Sequence, residues 1–522
     1  MNFLNDYPEL NYLFDDDKDE EYNCHPQIKT NNLNHLQKCI LISYKYNFLI
    51  SYIKNYIKEN PESINERNNA DLNALDLAVM NTRKNCHKKI IKLLLNSNNI
   101  HINSKNKYGY TSLYYACITS GTTGHISNIK ILLKYGANIN KQDNNGSTIL
   151  MNLCSNVIRY NMYKTINFLI NMKADLNIKN NKGMTVLIIA CLYARYKSSY
   201  KIIKLLVKSG SNINEQDNNG WTALMYSVVY SKIYSTSQIV KYLINLGADV
   251  NIQNNIGVTA LMLASLYSNS TSNIKTLYTL LEYNADIDIQ DYDGYNAIMY
   301  ACENANTTSS NQTVELLLEY NPNLNLQTNE GWTVLMIASR YSSSKSNDQI
   351  VLNLLKCKVD LNLENNYGWN ALMIACKYSK NGSSLNTIRN LIEYGALINN
   401  QNNIGNTALM IIAENTNKYS TNEALQLLLN YKPKLNIRNH KNDNVLSLAC
   451  KYSKTKSTKE TVEILLANGC KPNVSIYGYP LILIIYNSYK KNIIDIEILG
   501  LLIQYGSNSY DILKDKKLKK KT

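Results

Sequence analysis

The sequence predicts an α-dominated repeat solenoid, a stack of helix–loop–helix units joined by turns. Three observations carry this. Gly109, Gly146, Gly183, Gly220, Gly257, Gly294, Gly331, Gly368 and Gly405 recur every 37 residues without a slip. A fixed period of that size marks one supersecondary unit stacked many times. Two residues after each glycine, a Thr or Asn opens a short apolar segment. A second 37-residue ladder, Gly136, Lys173, Gly210, Gly247, Asn284, Asn321, Lys358, Gly395, Lys432, Gly469 and Gly506, closes another.

Taken in chain order, residues 1–30 are acidic, with FDDDKDEE at 14–21, and are expected to be a disordered segment rather than a signal peptide. Residues 31–66 read as a degenerate helical cap. Residues 67–508 form the array, about twelve units, the first centred on Asp71 and the last on Gly478. Each unit starts at a residue three before the glycine (Asn106, Asp143, Asn180, Asp217, Asn254, Asp291, Thr328, Asn365, Asn402, Asn439, Ser475). All can turn a side-chain oxygen onto nearby backbone N–H groups, as a tight turn requires.

Thr111, Thr148, Thr185, Thr222, Thr259, Thr333 and Thr407, with Asn296, Asn370 and Asn444 as substitutes, are predicted N-caps of the first helix. That helix is short and apolar, as in Ala260, Leu261, Leu263 and Ala264. A Ser/Asn-rich break follows, then a second helix such as 238–246, with Ile239, Val240, Leu243 and Ile244 on one face. Its closing Gly or Asn is expected in the left-handed conformation. Residues 509–522, with KDKKLKKK at 514–521, form a basic tail.

This order of turn, helix, loop, helix and turn resembles ankyrin repeats. Gly247-Ala-Asp-Val-Asn251 and Asn255-Ile-Gly257-Val-Thr-Ala-Leu261 look like the family's linker and helix start. The resemblance implies ankyrin-type units with turn or hairpin linkers, and a protein–protein interaction scaffold. Three departures stand out. Where the family carries Thr-Pro-Leu-His, this chain has Thr-Ala-Leu-Met, with Met151, Met225, Met262, Met299, Met336, Met373 and Met410 at the His site. Those methionines read as gap-filling core. The unit has four residues more than the usual 33 or so, placed between the helices in stretches such as 268–272, so either the first helix or the loop is longer. Tyr193, Tyr230, Tyr267, Tyr341, Tyr378 and Tyr452 share one register beside that insertion, which reads as packing with the hydroxyl at the water edge.

The Asn/Tyr/Lys-rich style of the unit is similar to that of the ankyrin proteins of giant DNA viruses of amoebae, the mimivirus group. That likeness implies a protein acting in an infected host cell.

Composition narrows the chemistry. The net charge is +15, so a nucleic-acid-associated protein using that charge and the basic tail is the alternative reading. Phe is scarce at 4 against Tyr at 41, an imbalance that codon bias does not explain. Cys117, Cys154, Cys191, Cys302, Cys376 and Cys450 alternate in one register with Val228, Ser265, Ser339 and Ala413. The site therefore wants a small buried side chain, and the thiols are expected to be free. Equivalent helices of neighbouring units stand roughly 8–10 Å apart, too far for a disulfide. Free thiols suit an intracellular location, cytoplasmic or, through the basic tail, nuclear.

No apolar run reaches the length of a membrane span. No P-loop, G-x-G-x-x-G, G-x-S-x-G or H-E-x-x-H is present, and the six histidines never recur in register. The expectation is a non-enzymatic protein with no cofactor, no metal and no small-molecule substrate. The residue after the turn glycine carries the candidate partner-binding site. It is Tyr110, Trp221, Tyr295, Trp332 or Trp369 in five units, and all 3 tryptophans of the chain lie there. Aromatic residues with a polar tip are enriched at binding hot spots; the competing reading is that these rings shield the helix start.

Overall fold

The computed structural model describes residues 33–43, 49–80, 86–123, 126–155, 162–194, 197–232, 237–491, 493–494 and 496–510. The acidic segment 1–30 and the basic run 514–521 lie outside the described residues. The chain divides into two compact units, Met1–Asp249 and Val250–Thr522. Both are built from the helix pairs that the period predicts.

In the first unit, helices His35–Ile42 and Leu49–Glu59 precede the pairs Ala74–Met80 with Cys86–Leu95, Ser112–Thr123 with Ser127–Lys134, Ile149–Ser155 with Tyr163–Asn171, Val186–Leu192 with Lys197–Lys208, and Ala223–Val229 with Ser237–Asn245. The second unit runs from Ala260–Tyr267 with Ile274–Glu282 to Leu481–Lys490 with Ile496–Gln504. Within each unit, first helices pack on first helices and second helices on second helices. The linkers are turns; the one strand pair among the described residues is Ser475–Ile476 with Tyr479–Pro480, antiparallel.

The turns follow from the side chains anticipated for them. Asn365 Oδ1 accepts from the N–H groups of Tyr367 and Trp369, each at 3.0 Å. Thr333, in extended backbone, caps its helix by accepting from Met336 N–H at 3.3 Å. The methionines at the family's His position are core, each 1% exposed. In two units the methionine also reaches back: Thr148 N–H and Thr259 N–H each donate to the Met151 and Met262 sulfurs at 3.4 Å. All eleven residues of the closing ladder have positive φ, from 50° at Asn321 to 100° at Gly395.

The extra residues lengthen the loop, not the helix. First helices of the second unit are seven or eight residues long up to Val445–Tyr452. After the helix the chain makes a tight turn in which Ser346 N–H donates to Tyr341 O at 3.0 Å. Successive loops then join: Asn269 N–H to Thr308 O, Asn306 N–H to Lys345 O, Ser343 N–H to Gly382 O, Lys380 N–H to Tyr419 O and Asn417 N–H to Lys456 O, all at 2.8–3.0 Å. Buried hydroxyls reinforce them, as where Thr387 Oγ1 donates to Ser342 Oγ at 2.7 Å.

The turn tips are laddered as well. Asn366 N–H donates to Glu330 O at 3.0 Å, and its side-chain amide donates to Asn329 O at 2.9 Å. Asn144, Asn181, Asn218, Asn329 and Asn403 repeat the side-chain bond at the same register. Such amide ladders give the abundant Asn a structural use, since each bond closes a backbone carbonyl that would otherwise need water.

Candidate interaction surface

The five predicted site residues sit just after the turn glycine, where the backbone is held from both sides. Trp369 N–H donates to Asn365 Oδ1 at 3.0 Å while Trp369 O accepts from Asn365 N–H at 2.9 Å. Trp332 makes the same pair with Thr328 at 3.1 and 2.9 Å. Tyr110, Trp221 and Tyr295 do so with Asn106, Asp217 and Asp291. All five side chains are half-buried.

Their surroundings differ. Tyr110 stacks face to face on Tyr114, with centroids 3.8 Å apart and planes 2° apart. Trp221 leans on Tyr226 at 5.1 Å and Tyr295 on Tyr300 at 5.4 Å. Those two tyrosines donate to Asp217 Oδ2 at 2.7 Å and Asp291 Oδ2 at 2.6 Å, so each ring is braced by the turn's own carboxylate. Burial first, then the Asp291 hydrogen bond, pushes the Tyr300 phenol well above its ordinary range. Trp332 and Trp369 face cations instead. The Arg340 guanidinium carbon is 5.4 Å from the Trp332 ring, and Lys377 Nζ is 4.7 Å from the Trp369 ring.

In the second unit the structure brings Tyr295, Trp332 and Trp369 onto successive turns and ties them through the helices behind. Arg340 also lies 5.1 Å from the Tyr341 ring and 4.8 Å from Tyr378. Lys377 lies 5.4 Å from Tyr378 and 5.9 Å from Tyr419. In the first unit, Tyr110 and Trp221 are separated by the turns carrying Ser147 and Met184.

The sequence reading missed Arg340 and Lys377. Their signal was legible: each lies eight residues after its tryptophan, at the polar end of an otherwise apolar helix. Tyr341 and Tyr378, which the sequence marks only as packing, are also rings that frame these cations. Among the described residues no cluster of three or more His, Cys, Asp or Glu is arranged to hold a metal ion. No helix among them is long and apolar enough to cross a membrane.

A family model described as ankyrin repeats (3 copies) matches residues 40–143, 122–217, 150–254, 192–291, 261–346, 341–439 and 379–476. The chain belongs to the ankyrin-repeat family. No curated protein matches it. Among solved structures it is similar to the ankyrin repeat domain of Bcl-3, a member of the IkappaB protein family. The identity is 23% over 48% of this chain and 99% of that one, with a TM-score of 0.39. Ankyrin repeats are typically protein–protein interaction scaffolds, and the half-buried aromatic positions lie on the turns and first helices of such units.

Proposed function

We propose that this ankyrin array is a non-enzymatic scaffold that captures a protein partner on the turn-proximal strip Tyr295, Trp332 and Trp369. The observation that supports it most is that three large aromatics occupy successive turns with their backbones clamped and their rings half exposed. Rigid aromatics of this kind lose little conformational entropy on binding, and Trp and Tyr are enriched at interface hot spots. The 37-residue Asn/Tyr/Lys-rich unit supports a partner inside a virus-infected cell. The free, buried thiols of Cys302, Cys376 and Cys450 support a reducing compartment.

The test is the double variant Trp332→Ala with Trp369→Ala, read in a pulldown from host-cell lysate and in a thermal melt. Loss of about 2 kcal/mol or more of binding with a near-normal melt is expected. Leu335→Ala, in the core at 0% exposed, should instead cost roughly 2–5 kcal/mol of stability. Full capture by the double variant would place the partner elsewhere; a collapsed melt would make the tryptophans structural.

A further inference from the structure

The position nine residues after the turn glycine, or after Asn442 that replaces it in the last of these units, carries a charge in five successive ankyrin units: Glu303, Arg340, Lys377, Glu414 and Lys451. Three of the five are neutralised. Glu303 pairs with Lys345 at 3.3 Å and Glu414 with Lys456 at 3.2 Å, each lysine coming from the next loop. Lys451 pairs with Asp443 of its own turn. The side chains of Arg340 and Lys377, the adjacent pair in the middle, make neither a hydrogen bond nor an ion pair among the described residues; both residues are half-buried and framed by rings. A ring face attracts a cation without cancelling its charge. Stacking also leaves the in-plane N–H donors of a guanidinium open to a bidentate acceptor.

We propose that this strip, if it is the binding surface argued above, docks an extended acidic segment of a protein partner. Carboxylates would lie on Arg340 and Lys377, and apolar side chains on Trp332 and Trp369. Equivalent positions of stacked helices are roughly 8–10 Å apart, and a chain extended as polyproline II rises about 3.1 Å per residue with about three residues per turn, so that every third side chain lies on one face. The two acidic residues should therefore stand about three positions apart. A nucleic-acid strand fits less well. It needs a run of cations tracking successive phosphates, whereas of the five charged positions only this adjacent pair is a cation outside an ion pair.

The experiment selects random phage-displayed peptides on the full chain and measures a selected peptide by fluorescence anisotropy. Enrichment of two Asp or Glu residues about three positions apart is expected. Arg340→Gln with Lys377→Gln should weaken the peptide about tenfold or more, as should Gln at the peptide's own acidic positions. Lys204→Gln with Lys208→Gln, the same charge change on exposed lysines of the first unit, should leave it unchanged. A normal thermal melt of each variant keeps the comparison valid, since Gln removes the charge while keeping only two methylenes of each stem.

Selected peptides without acidic pairs, or binding indifferent to Arg340→Gln with Lys377→Gln, would overturn the proposal. So would a poly(dT) oligonucleotide that binds at the strip and displaces the peptide. If the tryptophan double variant still abolishes lysate capture while the charge variant does not, the strip binds proteins but not through acidic residues. If both variants capture the partner like wild type, both readings fall.

Discussion

Gly331→Ala tests why the turn glycine is invariant through nine units. Gly331 has φ +82°, and a Cβ there would meet Asn365 Cα and Asn366 N, both at 2.8 Å. These are backbone atoms of the next turn, so no rotamer change can make room. A left-handed conformation costs a residue with a Cβ roughly 1–2 kcal/mol. Pushing the next turn away also strains two hydrogen bonds, Asn366 N–H to Glu330 O at 3.0 Å and its amide to Asn329 O at 2.9 Å. Each contributes about 0.5–1.5 kcal/mol, so the total is about 2–5 kcal/mol. Gly395→Ala is the control. It has φ +100° but nothing within 4 Å of the added Cβ, so only the conformational cost of roughly 1–2 kcal/mol applies. Urea unfolding followed by circular dichroism compares the two. Equal losses would refute the idea that stacked turns, rather than φ alone, demand glycine. The chain already contains the informative exceptions. Asp71 (φ 60°) and Asn442 (φ 61°) hold the equivalent positions, and there the next turn glycine lies 38 and 36 residues on instead of 37.

Other consequences are directly measurable. Ser342→Ala should cost about 1–3 kcal/mol in the same unfolding assay, because it removes the acceptor of Ser384 N–H at 3.0 Å and leaves Thr387 Oγ1, which donates to Ser342 Oγ at 2.7 Å, with only its Ser384 Oγ contact at 3.1 Å; Ser343→Ala, exposed, should cost little. Under native conditions maleimide should label exposed Cys357 well before buried Cys302, Cys376 and Cys450, and equal rates would contradict the packed register. Burial pushes the Cys191 thiol up to about 12 and holds Cys302, Cys376 and Cys450 well above the usual range. The folded state therefore keeps protons that the unfolded state releases. Stability should be flat below the unfolded thiol value, about 8.5, and fall as pH rises above it towards the folded values; rising stability between about pH 8 and 10 would reverse that sign. Deleting residues 294–330, one whole interior period, should leave a helical protein by circular dichroism, because the flanking units present equivalent faces. Deleting only 294–311 should not, and equal loss would argue against nearest-neighbour stacking.

The elements themselves were legible in the sequence because their causes are local. An Asx side chain, a left-handed glycine and a Thr or Asn cap act within a few residues of one another, as Asn365, Gly368 and Asn370 do. So do the apolar face of each helix and the left-handed residue that ends it, including Lys173, Lys358 and Lys432, where no glycine advertises the bend. The core role of the methionines followed from their spacing alone. What the tertiary structure decided lies between units. The period identifies equivalent positions, but the stack does not join equivalents only. Asn366 reaches 37 residues back to Asn329, Asp360 N–H reaches 35 back to Asn325, and Thr387 reaches 45 back to Ser342. Those offsets depend on the rise and stagger of stacked units, which a one-dimensional repeat does not encode. The same stagger made the four extra residues a laddered loop instead of a longer helix, and it set Arg340 and Lys377 among rings from their own and neighbouring units.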